Sequence, residues 1–427
     1  MNTNILDYGA KGDGTTLNTE YIQNAIDDCC KNGGGLVTIP AGKYLTGTLR
    51  LKSNVELHLE HNALLKASAN LAHYNETDEY PQNTDCEKEG WCGKHLIICV
   101  EQDNVSITGT GKIEGCAESV FSGERKQTSN FWYDEGYYEI AEGAPLRPGQ
   151  LVTFVESTNI KINDITFGNA SCWTVFLHGC DWVQISGIKI FNCVQHANSD
   201  GIDIDTCTHV TVSDCILFTG DDSLTLRCNH ARLVNKDKNE CKFITVTNCI
   251  LSSKCCAVRL GVGIGKIHHV VFSNIVIEEA AIGFEFMSAW GGRGNVDISD
   301  VCINNVVAQK TAYPAKLYAQ NAKFERIFIS NYQSECRGAI IAEVGSGEIT
   351  DLTFSNITIY ESDISYVYKS KLERMITMKK GLAVIVTIVA GYLGFIIGAA
   401  LNLEGYLGIV FAIASMGYFI LDAIEKK

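Results

Sequence analysis

Proline is scarce, 5 in 427 residues, and turn pairs of the Asn-Gly or Asp-Gly kind are few. The second scarcity argues against sandwiches and propellers, whose neighbouring strands need hairpin turns. Basic residues are also in deficit: Lys and Arg number 35 against 49 Asp and Glu, a formal net charge of −14. A nucleic-acid partner held on a broad cationic face is therefore not expected. The same charge repels an anionic sugar polymer at long range, so recognition of an acidic sugar falls to local cations. The chain opens Met1-Asn2-Thr3-Asn4 without the basic stretch and apolar run of a secretory leader, which predicts a cytoplasmic location. Paired Cys-x-x-Cys spacings are missing among 18 cysteines, so no metal site is expected. Vicinal Cys29-Cys30 and Cys255-Cys256, and Cys215 and Cys249 inside strand-like runs, are expected to be buried, reduced thiols.

What is abundant is a short repeat. Val210-Thr-Val-Ser-Asp214, Ile244-Thr-Val-Thr-Asn248, Val270-Val-Phe-Ser-Asn274, Val296-Asp-Ile-Ser-Asp300, Ile327-Phe-Ile-Ser-Asn331 and Leu352-Thr-Phe-Ser-Asn356 share one pattern, with earlier copies from Ile160 and Val183. Copies begin roughly 23 to 34 residues apart, the period of a solenoid. Alternation of apolar and polar residues marks each copy as a strand with one buried face, and the closing Asn or Asp tolerates a left-handed turn. A second set of strands interleaves: Gly201-Ile-Asp-Ile204, Ser223-Leu-Thr-Leu226, Ala257-Val-Arg-Leu260 and Gly283-Phe-Glu-Phe286. Aligned on their apolar residues, these put Asp203, Thr225, Arg259 and Glu285 on one outward face. The predicted fold is all-β, a single-stranded parallel β-helix over residues 1–368.

A helix over Thr19 to Lys31, stopped by Gly33-Gly34-Gly35, is predicted to cap the open end of the solenoid. Gly261-Val-Gly263-Ile-Gly265 reads as a turn, and Trp173 as core. The tail differs in kind. After a basic linker, 369–380, Gly381 to Leu403 and Gly405 to Leu421 are long apolar runs, which predicts a two-helix transmembrane hairpin over 381–424. Lys and Arg at both ends put those ends in the cytoplasm, with the β-helix membrane-anchored on that side. Gly394 and Gly398 would let the helices approach closely. If the tail is a fusion, the β-helix is soluble in the cytoplasm.

The densest chemistry is Asn198-Ser199-Asp200-Gly201-Ile202-Asp203 followed by Gly220-Asp221-Asp222. Asp200 and Asp222 each stand two residues before the first apolar strand position, so they should stack on adjacent coils with Asp221 beside them. Crowded carboxylates cannot all ionise, which supplies a proton donor beside an ionised base, the pair that glycosidic cleavage needs. Calcium binding by the same acids, as in a lyase, is the rival chemistry. A glycan-binding β-helix without catalysis is the rival class.

Asp7-Tyr8-Gly9-Ala10-Lys11-Gly12-Asp13-Gly14, Asn169-Ala-Ser-Cys-Trp173-Thr174, Asn198-Ser-Asp200-Gly201-Ile-Asp203 and Thr219-Gly220-Asp221-Asp222 resemble the pectin-degrading glycoside hydrolase family 28, the polygalacturonases. The resemblance covers roughly residues 5 to 360. It implies a right-handed helix and an inverting hydrolase of uronic-acid-containing oligosaccharides or polysaccharides, working without a cofactor. Asp221 looks like the general acid, and Asp200 and Asp222 like the carboxylates that activate water. Two family motifs are missing: Ser252-Ser253-Lys254-Cys255-Cys256 replaces Gly-His-Gly, and Gly283-Phe284-Glu285 replaces the Arg-Ile-Lys that holds the sugar carboxylate. Substrate contacts are expected from Asn198, Asp203, Lys254, Arg259 and Glu285. In that set Glu285 would repel galacturonate, and Arg259 either binds the sugar carboxylate or pairs with Glu285.

Overall fold

The computed structural model describes residues 1–78, 91–126, 137–140, 147–229, 233, 235, 237–290, 294–336 and 338–361. Within them the chain coils into a parallel β-helix, each coil adding one rung to each of three parallel sheets. The first sheet runs in unbroken register through Ile160, Val183, Val210, Ile244, Val270, Val301, Ile327 and Leu352. Its strands show the alternation the sequence predicts, as in Thr158–Asn163 and Asp181–Ser186, where every second side chain enters the core. One repeat is displaced from its expected place. Val296 pairs with Gly265, and the true rung begins five residues later, at Val301 opposite Val270. The short strand before the corner carries the same alternation, so Val296–Asp300 imitates the rung that follows it.

The corners explain the repeat's closing residue. Asp214, Asn248, Asn274, Asn305, Asn331 and Asn356 all sit at φ between 49° and 59°, the left-handed region that Asn and Asp enter most cheaply. Their side chains bond up the stack: Asn248 Nδ2 donates to Asp214 at 3.2 Å, Asn274 to Asn248 at 3.2 Å, and Asn305 to Asn274 at 3.2 Å. Gly261 and Gly263 flank a bend: Val262 between them stands at φ 68°, and the pairing with the coil below shifts register there. They lie inside the strand Cys256–Met287, at φ of 128° and 116°, where an added Cβ would stand 1.8 Å from the Met287 carbonyl oxygen and 2.0 Å from that of Cys228.

The core is a continuous column of Val, Ile, Leu and Phe between the sheets. Phe284 meets Phe272 edge-on at 5.5 Å and Tyr332 at 6.1 Å, geometries that aromatic quadrupoles favour. The helix Thr19–Lys31 forms as predicted and buries Ile22, Ala25, Ile26 and Cys29. The described cysteines are free thiols, most of them buried. Intrachain contacts separate Met1–Ser362 from Asp363–Lys427. The basic linker and the apolar runs of 381–424 lie outside the described residues, among which no helix is long and apolar enough to cross a membrane.

Truncating Phe284 to Ala removes a fully buried ring with partners on two sides. The expected loss is about 3–5 kcal/mol, measured as a lower midpoint of guanidinium unfolding.

Candidate active site

The third sheet carries the acids. Ile202–Asp205 pairs with Val175–His178 below it and Leu224–Asn229 above it, Ile202 standing opposite Leu224 and Asp203 opposite Thr225. Thr225 in turn stands opposite Arg259. The predicted row is thus in register from Asp203 through Thr225 to Arg259, with Glu285 ion-paired to Arg259 beyond it, and all four are buried. The turns that lead into two of these strands hold Asp200 and Asp221-Asp222. Oxygens of Asp200, Asp221 and Asp222 lie within 4.8 Å of one another.

The turns are tied together by backbone and hydroxyl groups. The Asn198 N–H donates to Asp221 Oδ2 at 3.2 Å, and the Thr219 and Ser253 hydroxyls both donate to the Asp221 carbonyl at 2.6 Å. Ser199 Oγ accepts from the Gly220 N–H at 3.0 Å. A side chain at Gly220 would meet the His196 carbonyl oxygen at 2.3 Å, so this coil closes only over glycine. Arg147, which the sequence did not single out, is buried and reaches across to Asn198 Oδ1 at 2.6 Å and the Ala197 carbonyl at 2.9 Å. It therefore steadies the turn that contacts Asp221.

The three carboxyls differ in charge. Burial and then the neighbouring Asp222 charge push Asp221 up to about 6. Burial, with the charges of Asp221, Asp203 and Asp222, raises Asp200 well above the usual range. Burial alone would raise Asp222 as well. The charge and hydrogen bonds of Arg259 outweigh it and hold Asp222 below the usual range, hence ionised. Arg259 Nε donates to Asp222 Oδ2 and Nη2 donates to Oδ1 at 3.0 Å, while Nη1 bonds Glu285 at 2.8 Å. Both expected partners of Arg259 were thus half right: it pairs with Glu285, but in the interior, and it grips a carboxylate bidentately, but that of Asp222.

A cleft of about 120 Å³ opens over the acids, lined by Trp173, Asn198, Asp200, Asp221, Asp222, Thr225, Arg227, Arg259, Val262 and Trp290. Of the expected substrate contacts, Asn198 and Arg259 line it. Asp203 lies beneath it, fully buried, and Glu285 is buried against Arg259. Lys254 is outside the lining, with its amine 2.9 Å from Glu279. Trp173 is not core: it is half-buried at the cleft, with the Arg227 guanidinium 4.4 Å from its ring centre. Arg227 and Trp290 were missed, although carrying the alternation of Ser223–Leu226 one step further puts Arg227 opposite Asp205. A divalent cation fits the acids poorly, because Arg259 already takes both oxygens of Asp222. The nearby Cys255 and Cys256 thiols, which with Asp222 form a second close cluster, are pushed up above their usual range.

Residues 29–333 match the family model described as glycosyl hydrolases family 28. The chain belongs to this family. It is 30% identical over 229 residues to a probable polygalacturonase of Vitis vinifera, 52% of this chain and 43% of that protein. It is 27% identical over 344 residues to an exo-poly-alpha-D-galacturonosidase of Dickeya chrysanthemi, 72% of this chain and 56% of that protein. The matches thus span about half the length of these curated relatives. Among solved structures, the exopolygalacturonase of Thermotoga maritima superposes with a TM-score of 0.63 at 21% identity, covering 84% of this chain and 92% of that one. The polygalacturonase of Erwinia carotovora ssp. carotovora does so at 0.60 and 20%, covering 86% and 96%. These likenesses establish the family 28 fold, a mostly β chain built on long parallel sheets.

Replacing Arg259 by Gln leaves Asp222 and Glu285 buried without their cation, at an expected cost of about 3–5 kcal/mol near neutral pH. Without the guanidinium, burial raises the Asp222 carboxyl, which then takes up a proton as pH falls from 7 toward 4, whereas wild-type Asp222 stays ionised over that range. The deficit of the variant therefore shrinks on acidification, which urea unfolding at pH 7 and pH 4 measures.

Proposed function

We propose that this chain hydrolyses glycosidic bonds of pectic, uronic-acid-containing oligosaccharides by acid and base catalysis, with inversion at the anomeric carbon. The observation that carries the proposal is the close-packed trio at the cleft, in which one carboxyl is held ionised and two are pushed up. Asp221, pushed up to about 6, protonates the leaving glycosidic oxygen. Asp222, ionised against Arg259, takes the proton of the attacking water. Asp200, raised by burial, holds that water by hydrogen bonding. The sequence pattern assigned Asp200 and Asp222 one shared role, and their electrostatics divide it. Acid and base assistance of this kind each contribute about 10²–10⁴-fold.

The substrate class follows from family membership and from relatives whose names are those of galacturonan hydrolases. The spacing of the acids deserves its own test. Their nearest oxygens, within 4.8 Å, stand closer than the roughly 6.5–9.5 Å between groups that ordinarily admits a water in an inverting site. Inversion here requires the water to sit over the trio rather than between two of its members. Proton NMR of the first-formed product distinguishes the outcomes: the inverted anomer is expected, and the retained anomer overturns this geometry. The β-helix is further proposed to be tethered by residues 381–424 on the cytoplasmic face of the membrane. Its digestion by protease added to intact cells would refute that placement.

Asp221→Asn is expected to lower release of reducing sugar by at least about 100-fold with the fold intact by circular dichroism, and unchanged turnover would sink the assignment. Because Asp221 must be protonated to act, kcat/KM is expected to fall as pH rises through about 6, an apparent value that belongs to the coupled trio. A rate-pH profile flat from pH 5 to 8 would contradict the role.

A further inference from the structure

The family's Arg-Ile-Lys is absent and the cleft is floored by acids, which leaves open what receives the negative group of an acidic sugar. Two arginines line the cleft. Arg259 is committed: its guanidinium is bonded to Asp222 through two nitrogens and to Glu285 through the third, with the sulfurs of Cys255 and Cys256 at 3.3 and 3.5 Å from Nη2. Its charge is matched by two carboxylates, and no edge of the fork is left.

Arg227 differs at every point. Its nearest carboxylate oxygen, Asp203 Oδ1, is 3.8 Å away, beyond hydrogen-bond distance. Its Nε is buried and donates to nothing, although its side chain retains 17% exposure toward the cleft. The guanidinium carbon lies over the Trp173 ring at 4.4 Å from its centre, a cation–π contact that holds the group at the cleft. An arginine held by its face keeps its in-plane donors free, and that fork matches a carboxylate edge to edge. Asp203 does not cancel the charge, because burial drives its own carboxyl well above the usual range; the ionised Asp205, which Arg227 helps to hold in that state, makes no ion pair with it.

We infer that Arg227, presented by Trp173, is the residue that binds the carboxylate of the uronic-acid ring beside Asp200 and Asp221. It thereby sets the preference for acidic over neutral sugars and replaces the family's missing cations. The inference rests on the hydrolase reading, and its test separates the two. Wild type, Arg227→Gln and Arg227→Lys are assayed on oligogalacturonides and on the same oligomers with their carboxyls reduced to alcohols. Wild type is expected to prefer the acidic oligomers by a ratio of kcat/KM on the order of 100. Arg227→Gln should bring that ratio close to one by losing activity on the acidic oligomers alone, and Arg227→Lys should restore part of it. Equal losses on both substrates, or an unchanged ratio, overturn the inference. Should wild type cleave neither, the hydrolase reading fails, and calorimetric titration with trigalacturonate decides this one. Binding present in wild type and lost in Arg227→Gln upholds it, whereas equal binding by both proteins, or binding by neither, overturns it.

Discussion

The structure depends on one constraint: every coil must return to the same register above its neighbour, so that each backbone N–H meets the carbonyl of the next rung. Parallel pairing keeps that register from Ile160 to Leu352, and the left-handed corner residues make it possible by turning the chain at the same point in each coil. Side chains at equivalent positions are then stacked a strand spacing apart whether or not they attract. That is how like charges come to share a site. Asp200 and Asp222 are brought together by backbone bonds between Gly201 and Asp222 and between Ile202 and Ser223, and the cost of crowding them is met locally by Arg259.

Arg259 ties fold and chemistry together. A buried guanidinium between two buried carboxylates is a weak source of net stability, but removing one member strands the others. It also decides which acid stays ionised. Burial, and then the charge of Asp222 held as an anion, disfavour further negative charge in the trio, so Asp221 keeps its proton into the pH range where the reaction needs an acid.

The periodicity of the chain made the sheets, the capping helix and the stacking of Asp200 on Asp222 legible, because strand alternation and register are properties of local sequence. It misled where a neighbouring strand imitates the repeat, at Val296–Asp300. It was silent on Arg147, whose partners Ser171, Ala197 and Asn198 are distant in the chain. Charge pairing was the hardest to foresee. The pattern leaves Lys254 free to meet a ligand and Arg259 either free or paired with Glu285, whereas each is occupied by another side chain, and that depends on distances between coils that a one-dimensional pattern does not carry.

The row of corner asparagines has a directional character. Each amide N–H₂ donates toward the preceding coil, from Asn305 to Asn274, from Asn274 to Asn248 and from Asn248 to Asp214, while the amide oxygens of Asn248 and Asn274 accept from the following one. Bonds aligned head to tail polarise one another, so the row forms an extended side-chain dipole along the solenoid axis, the counterpart of what peptide groups build in an α-helix. Its positive end points toward the N-terminal coils. There the row stops on Asp214, the one carboxylate among these bonded residues, and an anion terminates the array at the pole where negative charge is favoured.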